Sequence, residues 1–250
     1  AGTLALMTLS CDNDLDWIEG WARFHAVNYG VDAVVLYDNA SVGYGPGEIE
    51  DRLRTVPGLR EIVVIDQPAR FGVRQQDLTG RYNAYPDIFL QTAMFRHALE
   101  RLLPLADAAC NFDIDELLVL SESGSLREVL APSAAVTRIL RKEVHAAPST
   151  IRRPRPRHAD AWQELEDDAI IVWTPKWIAQ PKRLPELAAA GIHVVIGAST
   201  TVCAVEEGFV AHVWELTKSL KMPERFAPPV RPSSPNLLLR ARLERAFGAV

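Results

Sequence analysis

The sequence predicts an α/β fold, a mixed central sheet flanked by helices. Short apolar runs of strand length recur between stretches of helical periodicity, and the first of them make a β-α-β unit. Two of the apolar runs end in acidic and polar residues, at the carboxyl edge where open α/β sheets collect their ligands.

Residues 2 to 10 are an apolar run of strand length, and Cys11-Asp12-Asn13-Asp14 after them favour a turn and a helix N-cap. Leu15, Ile18, Trp21, Ala22 and His25 keep helical spacing up to the stop at Tyr29-Gly30. A strand follows over 33 to 37 and ends in Asp38-Asn39-Ala40-Ser41. The glycines of Gly43-Tyr44-Gly45-Pro46-Gly47 lack dinucleotide-binding spacing and follow the second strand instead of the first. A helix near 48 to 53 and a strand near 61 to 65 add another step. Residues 66 to 86 lack apolar periodicity and read as a long loop, in which Arg70, Arg74 and Arg81 are candidates to cover a phosphate. Residues 87 to 103 read as a helix ended by Pro104.

Further strands are expected at 117 to 120, 135 to 140, 169 to 173 and 192 to 196, with a short helix at 125 to 130 and another near 185 to 190. The run Thr201 to Val205 and the run Phe209 to Trp214 suggest a hairpin across Glu206-Glu207-Gly208. The arginine- and proline-rich segment 152 to 157 reads as a surface loop. Residues 1 to 221 form one domain, onto which a proline-rich tail and a helix at 236 to 247, within 222 to 250, would pack.

Composition narrows the function. With 48% hydrophobic and 24% charged residues and a net charge of −5, the chain has an ordinary globular composition and no broad basic surface for nucleic acid. An anionic ligand has to be held locally. Cys11, Cys110 and Cys203 are distant from one another and set in apolar runs, so they read as buried thiols in a reducing compartment. No apolar run approaches membrane-spanning length, and the expected location is cytoplasmic, with any membrane association made through partners.

Asp113-Ile114-Asp115 is the sharpest chemical signal. In an extended backbone the two carboxylates share a face, while Glu116 points away from it. Like charges so close call for a hard divalent cation, Mg²⁺ or Mn²⁺ in type, and a diphosphate supplies further oxygen ligands.

In order and separation, several segments resemble the GT-A fold glycosyltransferases, above all the bacterial family-2-like group and the family 92 enzymes. They are Asn13-Asp14, Trp21-Ala22-Arg23-Phe24-His25, Tyr37-Asp38-Asn39-Ala40-Ser41, Gln91-Thr92 with His97, Asp113-Ile114-Asp115-Glu116, Lys176-Trp177-Ile178 with Pro181, His193, and His212-Val213-Trp214. The chain departs from that pattern at Asp12, where a basic residue is common, at Asp14, which replaces Glu, and at 141 to 145, which lacks an expected aromatic-glycine segment.

The resemblance implies a Rossmann-like GT-A fold and transfer of a sugar from a nucleotide-sugar donor, in type a UDP-sugar, to a glycan or lipid-linked hydroxyl. It implies Mn²⁺ or Mg²⁺ held by Asp115 and Asp113 with His212 or His193. Thr8, Ser10, Asn13, Asp38, Asn39, Arg81, Gln91 and Asp113 would bind the donor, and Asp113, Asp115 and Glu116 would carry the chemistry. Of the possible proton acceptors, Glu143 and Asp168 have no stronger claim than Glu116. Two alternatives stay open: a nucleotidyltransferase acting on a sugar phosphate, and a non-catalytic nucleotide-binding domain.

Overall fold

The computed structural model describes residues 2–69, 89–121, 125–130, 133–146, 156–165, 171–216 and 233–249. Strand β1 (Leu4–Ser10) feeds helix α1 (Leu15–Tyr29). The Asp14 side chain accepts the Asp16 N–H at its start, and Gly30 ends it at φ 67°, a left-handed conformation that a Cβ would disfavour. Strand β2 (Ala33–Asp38), helix α2 (Pro46–Arg54) and strand β3 (Glu61–Asp66) continue the alternation. Helix α3 (Phe89–His97) then widens into a π-turn, Ala98–Leu102, which returns the chain to strand β4 (Ala108–Asn111).

These four strands are parallel, in the order β3-β2-β1-β4. On one face Leu4, Leu6, Val34 and Leu36 pack with Ile18, Trp21 and Phe24 of α1 and with Ile49 and Leu53 of α2. On the other, Ala5, Met7, Val35 and Tyr37 pack with Phe95, Ala98 and Leu99. The crossovers therefore change sides after β3, and β1 and β4 flank the topological switch point, where a crevice opens beyond the strands' carboxyl ends.

Beyond β4 the sheet becomes mixed. Strand β5 (Glu116–Leu120) and the one-turn helix α4 (Leu126–Val129) precede the long strand β6 (Val136–Ala146). Strand β7 (Ala161–Leu165) and strand β8 (Ile171–Ala179) both run antiparallel to β6, and β8 also pairs antiparallel with β4. Pro175 falls where the β6–β8 register slips, a position that tolerates its missing N–H.

The helix expected near 185 to 190 is a correction: the structure has a small antiparallel pair instead, β9 (Ala189–Ala190) with β10 (Val195–Ile196). The Gly191 N–H donates to the Val194 carbonyl and closes that turn, leaving too few residues for a helix.

The hairpin expected over 201 to 214 is also corrected. Strand β11 (Thr200–Val202) and strand β12 (Gly208–Val213) each pair parallel with β6 and not with one another. Gly208 permits this arrangement, because a Cβ there would stand 2.7 Å from the Leu120 side chain.

The strand expected at 135 to 140 runs on to Ala146, and Ala161–Leu165 is a strand that sequence periodicity missed. Cys110 and Cys203 are buried as expected, whereas Cys11 is only half-buried in the loop after β1.

Strand β13 (Ser233–Pro235) pairs with β7, and helix α5 (Leu237–Phe247) packs on α1 with Leu239 and Leu243 in the core. Among the described residues β5 pairs with β12 alone, and side chains satisfy its other edge. The Leu118 N–H donates to His25 Nε2 at 3.1 Å. The Tyr29 hydroxyl donates to the Leu118 carbonyl at 2.6 Å and accepts the Leu120 N–H at 3.1 Å. Arg242 of α5 donates to the carbonyls of Leu120 and Ser121.

Candidate functional site

The Asp113–Glu116 segment is a turn between β4 and β5, not an extended strand, and this corrects the alternation argument for its side chains. The Glu116 N–H donates to the Asp113 carbonyl at 3.0 Å, while the Asp113 N–H donates to Glu116 Oε2 at 2.8 Å. The turn reverses Glu116 back toward its neighbours. Carboxylate oxygens of Asp113, Asp115 and Glu116 consequently all lie within 4.8 Å of one another.

Three contacts fix this turn from behind. Phe112 stacks on His25 of α1, with ring centroids 5.4 Å apart. His158 Nε2 lies 2.7 Å from the Ile114 carbonyl, in a space left open by Gly20, whose Cβ would come within 3.1 Å of His158 Nδ1. The Val213 N–H donates to the Asp115 carbonyl at 2.7 Å. Burial holds the His158 imidazole down, to about 4, so it is neutral and donates to that carbonyl.

A polar row crosses the adjoining sheet face. His212 of β12 is registered with Glu116 of β5 on one side and with Glu143 of β6 on the other. Directly paired residues share a face, as do Arg141 and Glu143 two positions apart on one strand. His212 is 6% exposed; its Nε2 lies 3.3 Å from Asp115 Oδ2 and its Nδ1 3.8 Å from Glu143 Oε1.

Lys176 of β8 is fully buried, with Nζ 2.6 Å from Asp113 Oδ2 and 3.0 Å from Glu116 Oε2. Burial alone would push its pKa down, but Asp113 and Glu116 outweigh burial and hold it above the ordinary range, as an ammonium. Burial lifts the Glu116 carboxyl, and Lys176 opposes the lift. Arg141 reaches the other Glu116 oxygen at 3.4 Å.

The expected donor residues gather around the β1–β2 edge. Thr8, Ser10 and Asp38 are buried there, and Ser10 Oγ accepts the Asn13 amide at 2.7 Å. Ser41 Oγ donates to Asp38 and accepts the Asp12 N–H, tying the two loops together. Asp12 at φ 48° and Ala40 at φ 55° occupy the left-handed region, a strain of the sort that marks ligand loops. The Asn39 amide is turned to the carbonyls of Gln67 and Ala69, so it holds the loop after β3.

Gln91 donates to Asp113 Oδ1 at 3.3 Å. His193 lies on the turn between β9 and β10, with Nδ1 3.1 Å from the Pro175 carbonyl; burial lowers its pKa, and so does nearby Lys176. Arg70, Arg74, Arg81 and Asp168 lie outside the described residues, as does most of the arginine cluster at 152 to 157. Lys176 lies within the Lys176-Trp177-Ile178 motif, but neither it nor Arg141 has a role that sequence spacing assigns. The readable signal was a charged residue inside an apolar strand run.

The residues fit a divalent cation best between Asp115 and His212. Their 3.3 Å separation matches neighbouring ligands on one ion with bonds of about 2.1 Å, and oxygen with imidazole nitrogen suits Mn²⁺. Among the described residues no helix is long and apolar enough to cross a membrane. No family model matches the chain, and no curated protein matches it.

Proposed function

We propose that this chain is a GT-A-type, metal-dependent glycosyltransferase that moves a sugar from a nucleotide diphosphate donor, in type a UDP-sugar, to a hydroxyl of a glycan or lipid-linked acceptor. The observation that supports it most is that the buried Ser10 and Asp38 close strands β1 and β2 at the same sheet edge at which the Asp113–Glu116 turn, with His212 against it, follows the neighbouring parallel strand β4. Open α/β sheets bind nucleotides in that crevice.

In this reading Asp115 and His212 hold Mn²⁺ or Mg²⁺, which supplies Lewis acidity to the departing diphosphate. Asp38 and Ser10 face the base and ribose, and Gln91 orients Asp113 toward the ribose hydroxyls. The buried Lys176–Glu116 pair keeps the turn rigid, so the binding carboxylates need no rearrangement when donor arrives. The nucleotidyltransferase alternative gains nothing from the structure, since the loop after β1 carries Asp12 and Asp14 in place of a glycine-rich basic cradle.

A thermal-shift series with UDP, with and without Mn²⁺, tests the proposal. At one hundred times the dissociation constant, binding adds about 2.7 kcal/mol to native stability. Asp115→Asn is expected to abolish most of the Mn²⁺-dependent shift while leaving the ligand-free melting temperature close to wild type. An equal shift in EDTA would rule out metal-dependent binding, and tight UDP binding with neither donor hydrolysis nor transfer would favour a non-catalytic domain.

A further inference from the structure

The three clustered carboxylates look at first like one cation site, but their surroundings differ. Asp113 and Glu116 share the Lys176 ammonium, at 2.6 and 3.0 Å, and that lysine has no exposed surface through which to leave. Each remaining Glu116 contact is also structural: Oε2 accepts the Asp113 N–H and Oε1 faces Arg141. An ion entering between Asp113 and Glu116 would meet a positive charge already seated there.

Asp115 is the carboxylate of the cluster that lies against His212. That imidazole is more than nine-tenths buried, its Nδ1 has no hydrogen-bond partner among the described residues, and its other nitrogen is aimed at the Asp115 carboxylate. Glu143, behind Nδ1 at 3.8 Å, is placed to take its proton in a hydrogen bond once the ring is drawn into position. A carboxylate behind a ligating histidine fixes its tautomer, leaving the second nitrogen's lone pair for an ion.

We propose that Lys176 permanently fills the cation position between Asp113 and Glu116, so that the cluster takes a single divalent ion, held by Asp115 and His212 with Glu143 as the positioning residue behind His212. Lys176 thereby sets both the number of ions and their place. The inference rests on the metal-binding part of the proposed function and does not require UDP.

Mn²⁺ alone, titrated into the full chain and followed by electron paramagnetic resonance, tests it. The expected result is one Mn²⁺ per chain, with electron spin-echo modulation from one imidazole nitrogen. His212→Gln should remove the modulation and weaken binding at least tenfold, as should Asp115→Asn for the affinity. Glu143→Ala should weaken binding about tenfold, with Glu143→Gln, which still accepts a hydrogen bond, recovering most of the loss.

Glu116→Gln should change the affinity less than threefold. Should that variant not fold, the wild-type stoichiometry and nitrogen modulation still decide. Two ions per chain, no Mn²⁺ bound, or nitrogen modulation that survives His212→Gln would each overturn the proposal, as would equal weakening by Glu116→Gln and His212→Gln. One Mn²⁺ bound as described, with no stabilisation by UDP, would leave this inference standing and remove the glycosyltransferase reading.

Discussion

Lys176 shows how one side chain can be indispensable without touching a ligand. It is fully buried against the equally buried Glu116, so deleting its charge strands a carboxylate that water cannot reach. Lys176→Met is expected to cost about 3–5 kcal/mol in urea unfolding, the usual result of removing one partner of a buried pair. Lys176→Met combined with Glu116→Gln should recover a large part of that loss, since neither buried charge is then left alone; a double variant no more stable than the single would show that the lysine acts by packing. Asp113 and Asp115 were legible in the sequence as a pair, whereas the resemblance left His212 and His193 as alternatives, of which the fold sets His212 against Asp115. The fully buried Lys176 was harder to read, because its partners come from the turn between β4 and β5 while it sits on β8, and no local pattern announces a pairing 63 residues away.

At the scale of elements, the parallel half of the sheet was readable because each strand and helix carries its own period, from Leu4 through Asp66. The mixed half was less so. Strand β6 takes partners on both edges and in both directions, and such pairings are fixed by tertiary fit instead of by alternation. Alternation puts Glu116 on the wrong face for a related reason: it holds only while the backbone stays extended, and the Asp113–Glu116 turn breaks it. Helix α1 joins the two halves through His25, whose Nδ1 donates to the Trp21 carbonyl while Nε2 accepts the Leu118 N–H. Burial holds this imidazole down, to about 3, against an ordinary 6.5. A folded-state pKa below the unfolded one gives stability that is complete above pH 6.5 and is lost as pH falls toward 3. On the order of 2–3 kcal/mol should disappear between pH 6.5 and 4.5, read from urea midpoints. His158, held down to about 4, adds a similar slope over the same window, so His25→Gln should about halve it, and an unchanged slope would move its origin to other groups.

For the molecule as a whole, the C-terminal segment completes the fold. Arg242 of α5 lies over the Tyr29 ring and reaches the Leu120 carbonyl, and the Asn28 amide donates to the Arg242 carbonyl, so the last helix is bound to the first. These contacts converge on the side of β5 that, among the described residues, no strand covers. An uncovered strand edge is a template on which a second molecule can add a strand of its own, and the usual safeguards are charge, proline or a covering element. Here His25, Tyr29 and Arg242 occupy the donor and acceptor positions a foreign strand would need, so the same three side chains that stabilise the fold also block strand addition at this edge. Tyr29→Phe leaves the Leu118 carbonyl and the Leu120 N–H without their partner, at a cost of about 1–3 kcal/mol. Light scattering on warming should show its aggregation starting earlier and rising more steeply with protein concentration than in an equally destabilised variant elsewhere in the core. Identical onset in the two variants would mean that the hydroxyl contributes stability alone, and that any barrier to strand addition lies at some other boundary of the sheet.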